Sequence, residues 1–514
     1  MSSKREIICI VFEPLPQGRP GPQVKQKPGF VLLDRAKWGV YTKSGRKDEE
    51  RRMKKDINYV HDNRCGGAIM TTLSLSGPAL LGGEKAVSDP TPEVFQWPVI
   101  GPEDEAAVLE VLRRGGMSGT DVTKQFEAEF ATWIGRDHAL GCSSGTASLQ
   151  SAMFGCGLGV GDELICQSTT FWASALQCFS LGATVVFADV DPDTLCIDPD
   201  DIERHVSPRT KAIMVVHYTG YPADMDRILP IARKHGLRVI EDVSHAQGSL
   251  YKGRKVGTFG DVAAMSLMSG KSFAVGEAGI LVTDNREIYD RAVAFGHYER
   301  YTADISTESL RPFWGLPLGG YKYRMNQLCS ALGRVQLEAY ERRIREIQDA
   351  MNRFWDLLED VPGLRAHRPP KASGSTMGGW YSPRGLYRPE ELGGLSVTRF
   401  AQAVRAEGST CSPGINKPLH LHPLVNTCDV YGHGVPTRLA HSDRDLRQPP
   451  GSLPVAEAID FHTYTIPWFK HDAPDVIACH ANAFRKTAEH ADKLLKDDPG
   501  NGPGLGGWLS QQHG

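Results

Sequence analysis

The sequence predicts an α/β protein: a parallel sheet covered by helices on both faces, followed by a smaller C-terminal domain. Two observations carry this. Between residues 99 and 267, short apolar, β-rich runs alternate with amphipathic helical runs through short loops, the pattern of parallel strands with helices packed over them. Beyond about residue 363, a Pro/Gly-rich passage gives way to a shorter α+β pattern that runs to about 495.

The elements follow in order. Residues 103–114 carry Ala106, Val108, Leu109, Val111 and Leu112 with an acidic first turn and a basic last turn, an amphipathic helix that Gly115-Gly116 ends. A second helix spans 122–133. Then come a strand at 138–141, a helix from Thr146, a strand at 163–166, a helix from Trp172 and a strand at 184–187. A helix at 200–205, a strand at 212–216, a helix at 225–235 and strands at 238–240 and 262–267 complete the alternation. Within 326–360, Leu328, Leu332, Val335, Leu337 and Ile344 are spaced for burial on one long helix or two abutting ones. Open α/β sheets bind ligands at the carboxyl ends of their strands, so polar residues just after strands are the candidates for chemistry.

Composition narrows the function classes. The 514 residues carry 58 Lys/Arg against 61 Asp/Glu, a net charge of −3, which speaks against a general nucleic-acid binder. The balance is uneven: residues 1–69 hold 15 basic and 8 acidic side chains, leaving −10 for the rest. That leading segment shows no period able to bury a face, so it reads as a disordered basic arm, with Met70 as an alternative natural start. Eleven scattered cysteines without a C-x-x-C pair argue against a zinc ribbon or dithiol site and for a reducing, cytoplasmic compartment. No apolar run approaches the roughly 18–20 residues of a membrane helix, and the apolar stretch 7–12 is short for a secretory signal of about 7–15. The expected division is a basic segment 1–69, a large domain 70–360, a small domain 361–495 and a flexible Gly-rich tail 496–514.

Four post-strand positions stand out. Ser143-Ser144-Gly145-Thr146 opens a helix with small residues whose backbone N–H groups converge, a phosphate cradle or an ordinary N-cap. Glu241-Asp242-Val243-Ser244-His245 places a carboxylate at a buried strand end, for a cationic partner or a structural ion pair. Ser266-Leu267-Met268-Ser269-Gly270-Lys271 ends in a lysine that either snorkels to solvent or, desolvated, becomes nucleophilic enough for a Schiff base. Phe171-Trp172 offers a flat face or core packing. Each has a bland reading alone. Together they match what pyridoxal phosphate requires: a lysine for its aldehyde, a carboxylate for its pyridine nitrogen, a phosphate cradle and a planar face.

The ordered motifs S-G-T, T-T-F, E-D-x-S-H-A-x-G and S-x-x-x-x-K-x-x-x-x-G-E-x-G, with Val160-Gly161-Asp162-Glu163-Leu164 and Tyr251-Lys252-Gly253-Arg254, resemble the DegT/DnrJ/StrS sugar aminotransferases over about residues 80–495. The resemblance implies the fold type I pyridoxal-phosphate architecture, a mixed, mostly parallel sheet flanked by helices with a smaller α+β C-terminal domain. It implies Lys271 as the lysine that bonds the cofactor and Asp242 as partner of the pyridine nitrogen. His245 falls near the ring hydroxyl, Gly145, Thr146 and Ser266 around the phosphate, and Phe171 against the ring. It also implies a homodimer with active sites at the subunit interface, and transfer of an amino group from glutamate or glutamine to a keto-sugar or keto-cyclitol in polysaccharide or secondary-metabolite biosynthesis.

Two departures from the family pattern are present. Gly276-Glu277-Ala278-Gly279 stands where the family has G-E-G-G. Gly320-Tyr321-Lys322-Tyr323-Arg324 stands for G-Y-N-Y-R, so Lys322 replaces the asparagine that reaches the neighbouring subunit's phosphate, a variant that fits a sub-group resembling keto-inositol aminating enzymes. A deoxysugar dehydratase of the same fold would replace the lysine with histidine, and a non-catalytic regulatory member would lose the lysine or the aspartate; Lys271 and Asp242 speak against both. No G-x-G-x-x-G follows the first strand, against a dinucleotide oxidoreductase. His420-Leu421-His422 with His433 has no suitably placed acidic ligand, so no metal is expected, and the stretch around it is assigned to substrate contact.

Overall fold

The computed structural model describes residues 77–508 apart from 301–304 and 314. The basic segment 1–69, the Met70 start and the last six residues of the expected tail lie outside the described residues. Seven strands form the main sheet: β1 (His138–Cys142), β2 (Glu163–Gln167), β3 (Thr184–Ala188), β4 (Thr210–Val216), β5 (Arg238–Asp242), β8 (Val262–Ser266) and β9 (Gly279–Thr283), with β6 (Leu250–Tyr251) and β7 (Arg254–Lys255) as a separate hairpin. Their order is β1-β9-β8-β5-β4-β2-β3. All pairs from β8 to β3 are parallel, and β9 runs antiparallel to both β1 and β8, so the sheet is mixed and mostly parallel.

The apolar runs behave as a doubly covered sheet demands: β2, β3 and β9 are buried at every residue. Helices α1 (Pro102–Arg113), α2 (Asp121–Ile134), α3 (Gly145–Gly155), α4 (Pro199–His205) and α5 (Met225–His235) occupy their expected places. The sequence reading needs three corrections. The helix from Trp172 is two 3-10 segments, Trp172–Ser174 and Leu176–Leu181, broken at Ala175, whose φ of −120° is not helical. Strand β9 and helix α6 (Arg286–Gly296) went unassigned; β9 returns directly beside β8 with no helix between, outside the alternation that guided the reading. The apolar pattern in 326–360 is one 30-residue helix, α7 (Gln327–Asp356), started by the Asn326 side chain accepting the N–H of Cys329.

The third correction concerns the hydrophobic core. A second core gathers the C-terminal half of α7 (Ile347, Met351, Phe354 and Trp355) with α8 (Val397–Ala406), α9 (Pro474–Glu489) and a small antiparallel sheet of β10 (Leu364–Ala366), β11 (Arg384–Tyr387) and β12 (Thr463–Thr465). Yet Ile415, Leu419, Val425, Leu446, Leu453 and Ile459 join the first core. This excursion covers the edge strand β3: Gln448 accepts the N–H of Phe187 at 3.1 Å and donates to its carbonyl at 2.7 Å, while buried Arg438 donates to the Val185 carbonyl at 3.0 Å. A side-chain amide thereby occupies the hydrogen-bonding positions of a further strand. Residues 498–508, read as mobile, lie against the body, with the N–H groups of Leu505 and Gly506 donating to Asp460 and Lys417 N–H to the Gly507 carbonyl.

Candidate active site

The carboxyl ends of β5 and β8 meet at the site. Asp242 closes β5 and is 4% exposed. Its Oδ1 accepts the N–H of Ser244 at 3.0 Å and its Oδ2 the hydroxyl of Ser174 at 2.7 Å. Ser244 Oγ in turn accepts the N–H of Ser266, the last residue of β8, at 3.0 Å, which pins the two strand ends together. Behind them, Glu241 points to the other face of β5 and takes the N–H groups of Gly257, Phe259 and Gly260 and the Nε2 of His217.

The lysine loop follows β8. Lys271 is 8% exposed, its carbonyl accepts the indole N–H of Trp97 at 2.8 Å, and the neighbouring Ser272 hydroxyl donates to Gln247 at 2.8 Å. Lys271 Nζ stands 3.9 Å from the centroid of the Tyr381 ring, and that ring lies 4.6 Å from the ring of His245. His245 Nδ1 accepts the N–H of Thr219 at 3.3 Å, which leaves the proton on Nε2. Burial first, then the positive charges of Lys271 and Arg384, push the His245 pKa well down, so the ring is neutral.

The turn before α3 touches the end of β8 from the other side. A Cβ on Gly145 would fall 2.5 Å from the Cβ and 2.7 Å from the Cα of Ser266, and one on Gly279 would fall 2.2 Å from the Ser144 carbonyl oxygen. Only glycine permits this approach. Ser144 Oγ accepts the N–H of Ala147, and as first-turn groups the N–H of Gly145 and Thr146 have no intrahelical partner. Such a helix start suits a phosphate. Phe171 is half-buried, its ring 4.9 Å from Trp172. Lys322 is exposed, in a segment that passes beside the same turn, where Ser143 N–H donates to the Tyr323 carbonyl at 2.6 Å. Glu277 is exposed and borders a cavity of about 640 Å³ that opens beside the lysine loop.

The buried lysine, the buried hydrogen-bonded carboxylate, the glycine-bounded cradle and the neutral imidazole together fit pyridoxal phosphate. His420 does not reach the cavity lining. It sits in a 3-10 turn, not a strand, with Nδ1 2.7 Å from Ser168 Oγ and Nε2 3.0 Å from Glu457. Within the stretch assigned to substrate contact, Ile415 and Asn416, just before His420 in sequence, line the cavity. Among the described residues, no group of three or more His, Cys, Asp or Glu is placed to hold a metal ion.

Sequence reasoning missed Tyr381 and Trp97, which touch the lysine, and Arg384, Asn416 and Lys470, which line the cavity beside its loop. Tyr381 had one available signal, the Gly378-Gly379 pair before it. In the structure its neighbours Trp380 and Ser382 both have positive φ, 54° and 50°, a strain that non-glycine residues hold where the surroundings impose it.

Comparison with known proteins agrees with the geometry. The DegT/DnrJ/EryC1/StrS aminotransferase family model matches residues 98–459. The spore coat polysaccharide biosynthesis protein SpsC of Bacillus subtilis is 34% identical over 336 residues, 64% of this chain and 84% of the relative. The GDP-perosamine synthase of Caulobacter vibrioides is 32% identical over 335 residues, 63% and 86% of the two chains. Among solved structures, an aminotransferase from Psychrobacter cryohalolentis is similar at a TM-score of 0.63 and 26% identity, covering 78% of this chain and 99% of its own. DesV of S. venezuelae is similar at 0.61 and 29%, covering 75% and 94%.

Proposed function

Because the chain belongs to the DegT/DnrJ/EryC1/StrS aminotransferase family and is a pyridoxal-phosphate-dependent aminotransferase, we propose that it moves the amino group of glutamate or glutamine to a ketone on a nucleotide-linked sugar or a cyclitol. The observation that carries this reading is the burial of Asp242 at the end of β5 and of Lys271 in the loop after adjacent β8, tied through Ser244 and Ser266. The family membership and the polysaccharide-related names of the relatives support the sugar-like acceptor.

Pyridoxal phosphate supplies an electron sink for the bond broken at the donor Cα. The chain's own groups do the rest. Asp242, its oxygens oriented by Ser174 and Ser244, holds a proton on the pyridine nitrogen by opposite charge. Lys271 Nζ, shielded from water by Tyr381, moves the proton at the donor Cα. Gly145, Thr146 and Ser266 would hold the phosphate, Phe171 would back the ring, and His245 would offer its Nε2–H to the ring oxygen.

A homodimer is part of the same reading, supported by the exposed apolar side chains of Ile100, Leu109, Leu112 and Met117, with exposed Lys322 as the group that would reach the neighbouring subunit's phosphate. A cytoplasmic setting is supported by the free, buried thiols of Cys142, Cys156, Cys166, Cys178, Cys196 and Cys411. The purified protein should absorb visible light as a yellow holoenzyme, and Lys271→Ala should abolish or shift that band. A colourless protein that takes up no cofactor would overturn the reading. Mixing the holoenzyme with glutamate or glutamine, without acceptor, then identifies the donor by which one bleaches the band.

A further inference from the structure

We propose that residues 502–508 form a strap that walls the cavity beside the lysine loop and sets, by size, which molecules reach Lys271. This rests on the function proposed above and adds a specificity-determining segment, one that lies beyond residue 459, where the family match ends. Leu505, Gly506 and Gly507 line the same cavity as Met268, Ser269 and Gly270, the residues leading into Lys271.

The strap reads Gly502-Pro503-Gly504-Leu505-Gly506-Gly507-Trp508, with no helical or strand period. A terminus so rich in glycine stays in solvent unless something ties it down, because ordering glycine costs the most backbone entropy. Asp460, 4% exposed, ties it down. Its Oδ1 accepts the N–H of Ile415 at 2.9 Å, and its Oδ2 accepts the N–H of Leu505 at 2.5 Å and of Gly506 at 3.0 Å. Ile415 also lines the cavity, so one buried carboxylate fastens the strap to a loop that is itself part of the wall. The Lys417 N–H donates to the Gly507 carbonyl at 3.0 Å, and the Trp508 ring lies edge-on to His422 with centroids 4.6 Å apart.

Gly506 makes this seating possible. A Cβ there would fall 1.6 Å from the Ile415 carbonyl oxygen and 2.8 Å from its carbon, so no larger residue fits while the strap is in place. The strap brings no ionisable side chain to the cavity. It attracts no charged ligand, and its effect on an entering molecule is the space it takes. Three peptide hydrogen bonds and partial burial hold it, far less than holds the sheet, so it is among the segments that open locally at low cost. Seated, it admits small molecules to Lys271; a bulky one enters only when it lifts.

The test is the rate at which the holoenzyme's cofactor reacts with hydroxylamine and with the bulkier O-benzylhydroxylamine, followed as loss of the yellow band. In each reaction the reagent nitrogen replaces Lys271 Nζ on the aldehyde carbon, giving an oxime and releasing the lysine as a free amine. Two variants are set against wild type, a chain ending at Asn501 and Gly506→Ala in the full chain. The truncation keeps Asp498 and Asn501, which accept from Ser396 and Thr398 at the start of α8. In both variants the ratio of the bulky rate to the small rate should rise by about tenfold. An unchanged ratio in either variant that keeps the cofactor band, even with both rates raised together, would overturn the proposal. So would a wild-type ratio equal to that of free pyridoxal phosphate, an outcome that needs no variant to fold. Failure of the wild type to take up cofactor strikes the proposed function, whereas normal uptake with an unchanged ratio strikes the strap alone.

Discussion

Replacing Glu241 with glutamine tests whether the strand end carrying Asp242 is held from behind. Glu241 is 0% exposed; Oε1 accepts the N–H of Phe259 at 2.8 Å and of Gly260 at 2.6 Å, and Oε2 accepts the N–H of Gly257 at 2.7 Å and His217 Nε2 at 3.0 Å. His217 Nδ1 accepts the N–H of Ala223 at 3.0 Å, so its proton is on Nε2 and all four partners of Glu241 are donors. A glutamine amide must turn its NH₂ toward one pair of these donors, and two bonds are lost whichever way it faces. At about 1.5–3 kcal/mol per hydrogen bond to a charged group, the loss of two is about 3–6 kcal/mol. For a chain of this size, that lowers Tm by about 3–6 °C. Differential scanning calorimetry of the holoenzyme reads it. A shift under about 1 °C would refute the reasoning.

The same substitution has a pH signature. Burial works against the Glu241 charge, and the hydrogen bonds from His217 and the backbone outweigh it, so the folded carboxyl lies below its ordinary value. A depressed carboxyl contributes stability at neutral pH that is lost as pH falls through the folded value. Wild type should thus lose stability below about pH 4.5, the ordinary glutamate range, and E241Q should show a shallower acid slope over the same interval.

Two further outcomes are expected. Ser174→Ala removes the 2.7 Å bond to Asp242 Oδ2 and should weaken cofactor binding about tenfold, read by fluorescence titration; unchanged affinity would mean that Ser174 does not orient the carboxylate. Gly145→Ala pushes a Cβ to 2.5 Å from Ser266 and should lower stability by about 1–3 kcal/mol and weaken cofactor binding with it, and an alanine variant as stable and as saturable as wild type would show that the turn has room.

The strand-end part of the candidate site was legible because a parallel sheet forces it to be local. Gly145, Asp242, Ser266 and Lys271 each follow a short apolar run, and the sheet brings strand ends together whatever the loops do. The same logic hid β9, which lies antiparallel and follows β8 without a helix, and it made a regular helix of 172–181, where Ala175 breaks the chain into 3-10 turns. The long helix was legible as a helix but not as a bridge. Its apolar stripe is continuous, while the partners of its two ends belong to different cores.

The other end of the site obeys no such rule. Trp468-Phe469-Lys470-His471-Asp472 reads as an aromatic pair passing into a polar turn, where a lysine normally keeps its amine in water. What buries Lys470 comes from elsewhere: Trp97, close to the beginning of the described chain, stands over its amine, and its own N–H is taken by the Val94 carbonyl at 2.9 Å. Tyr381 likewise meets Lys271 only because strand β11 is carried to the mouth of the first core. Burial belongs to whatever packs on a residue, and no window of sequence holds it. The residues that face the cavity therefore become visible only as mismatches in the finished fold: a lysine without a partner at 4% exposure, an asparagine with half its amide idle, an arginine with one nitrogen unused.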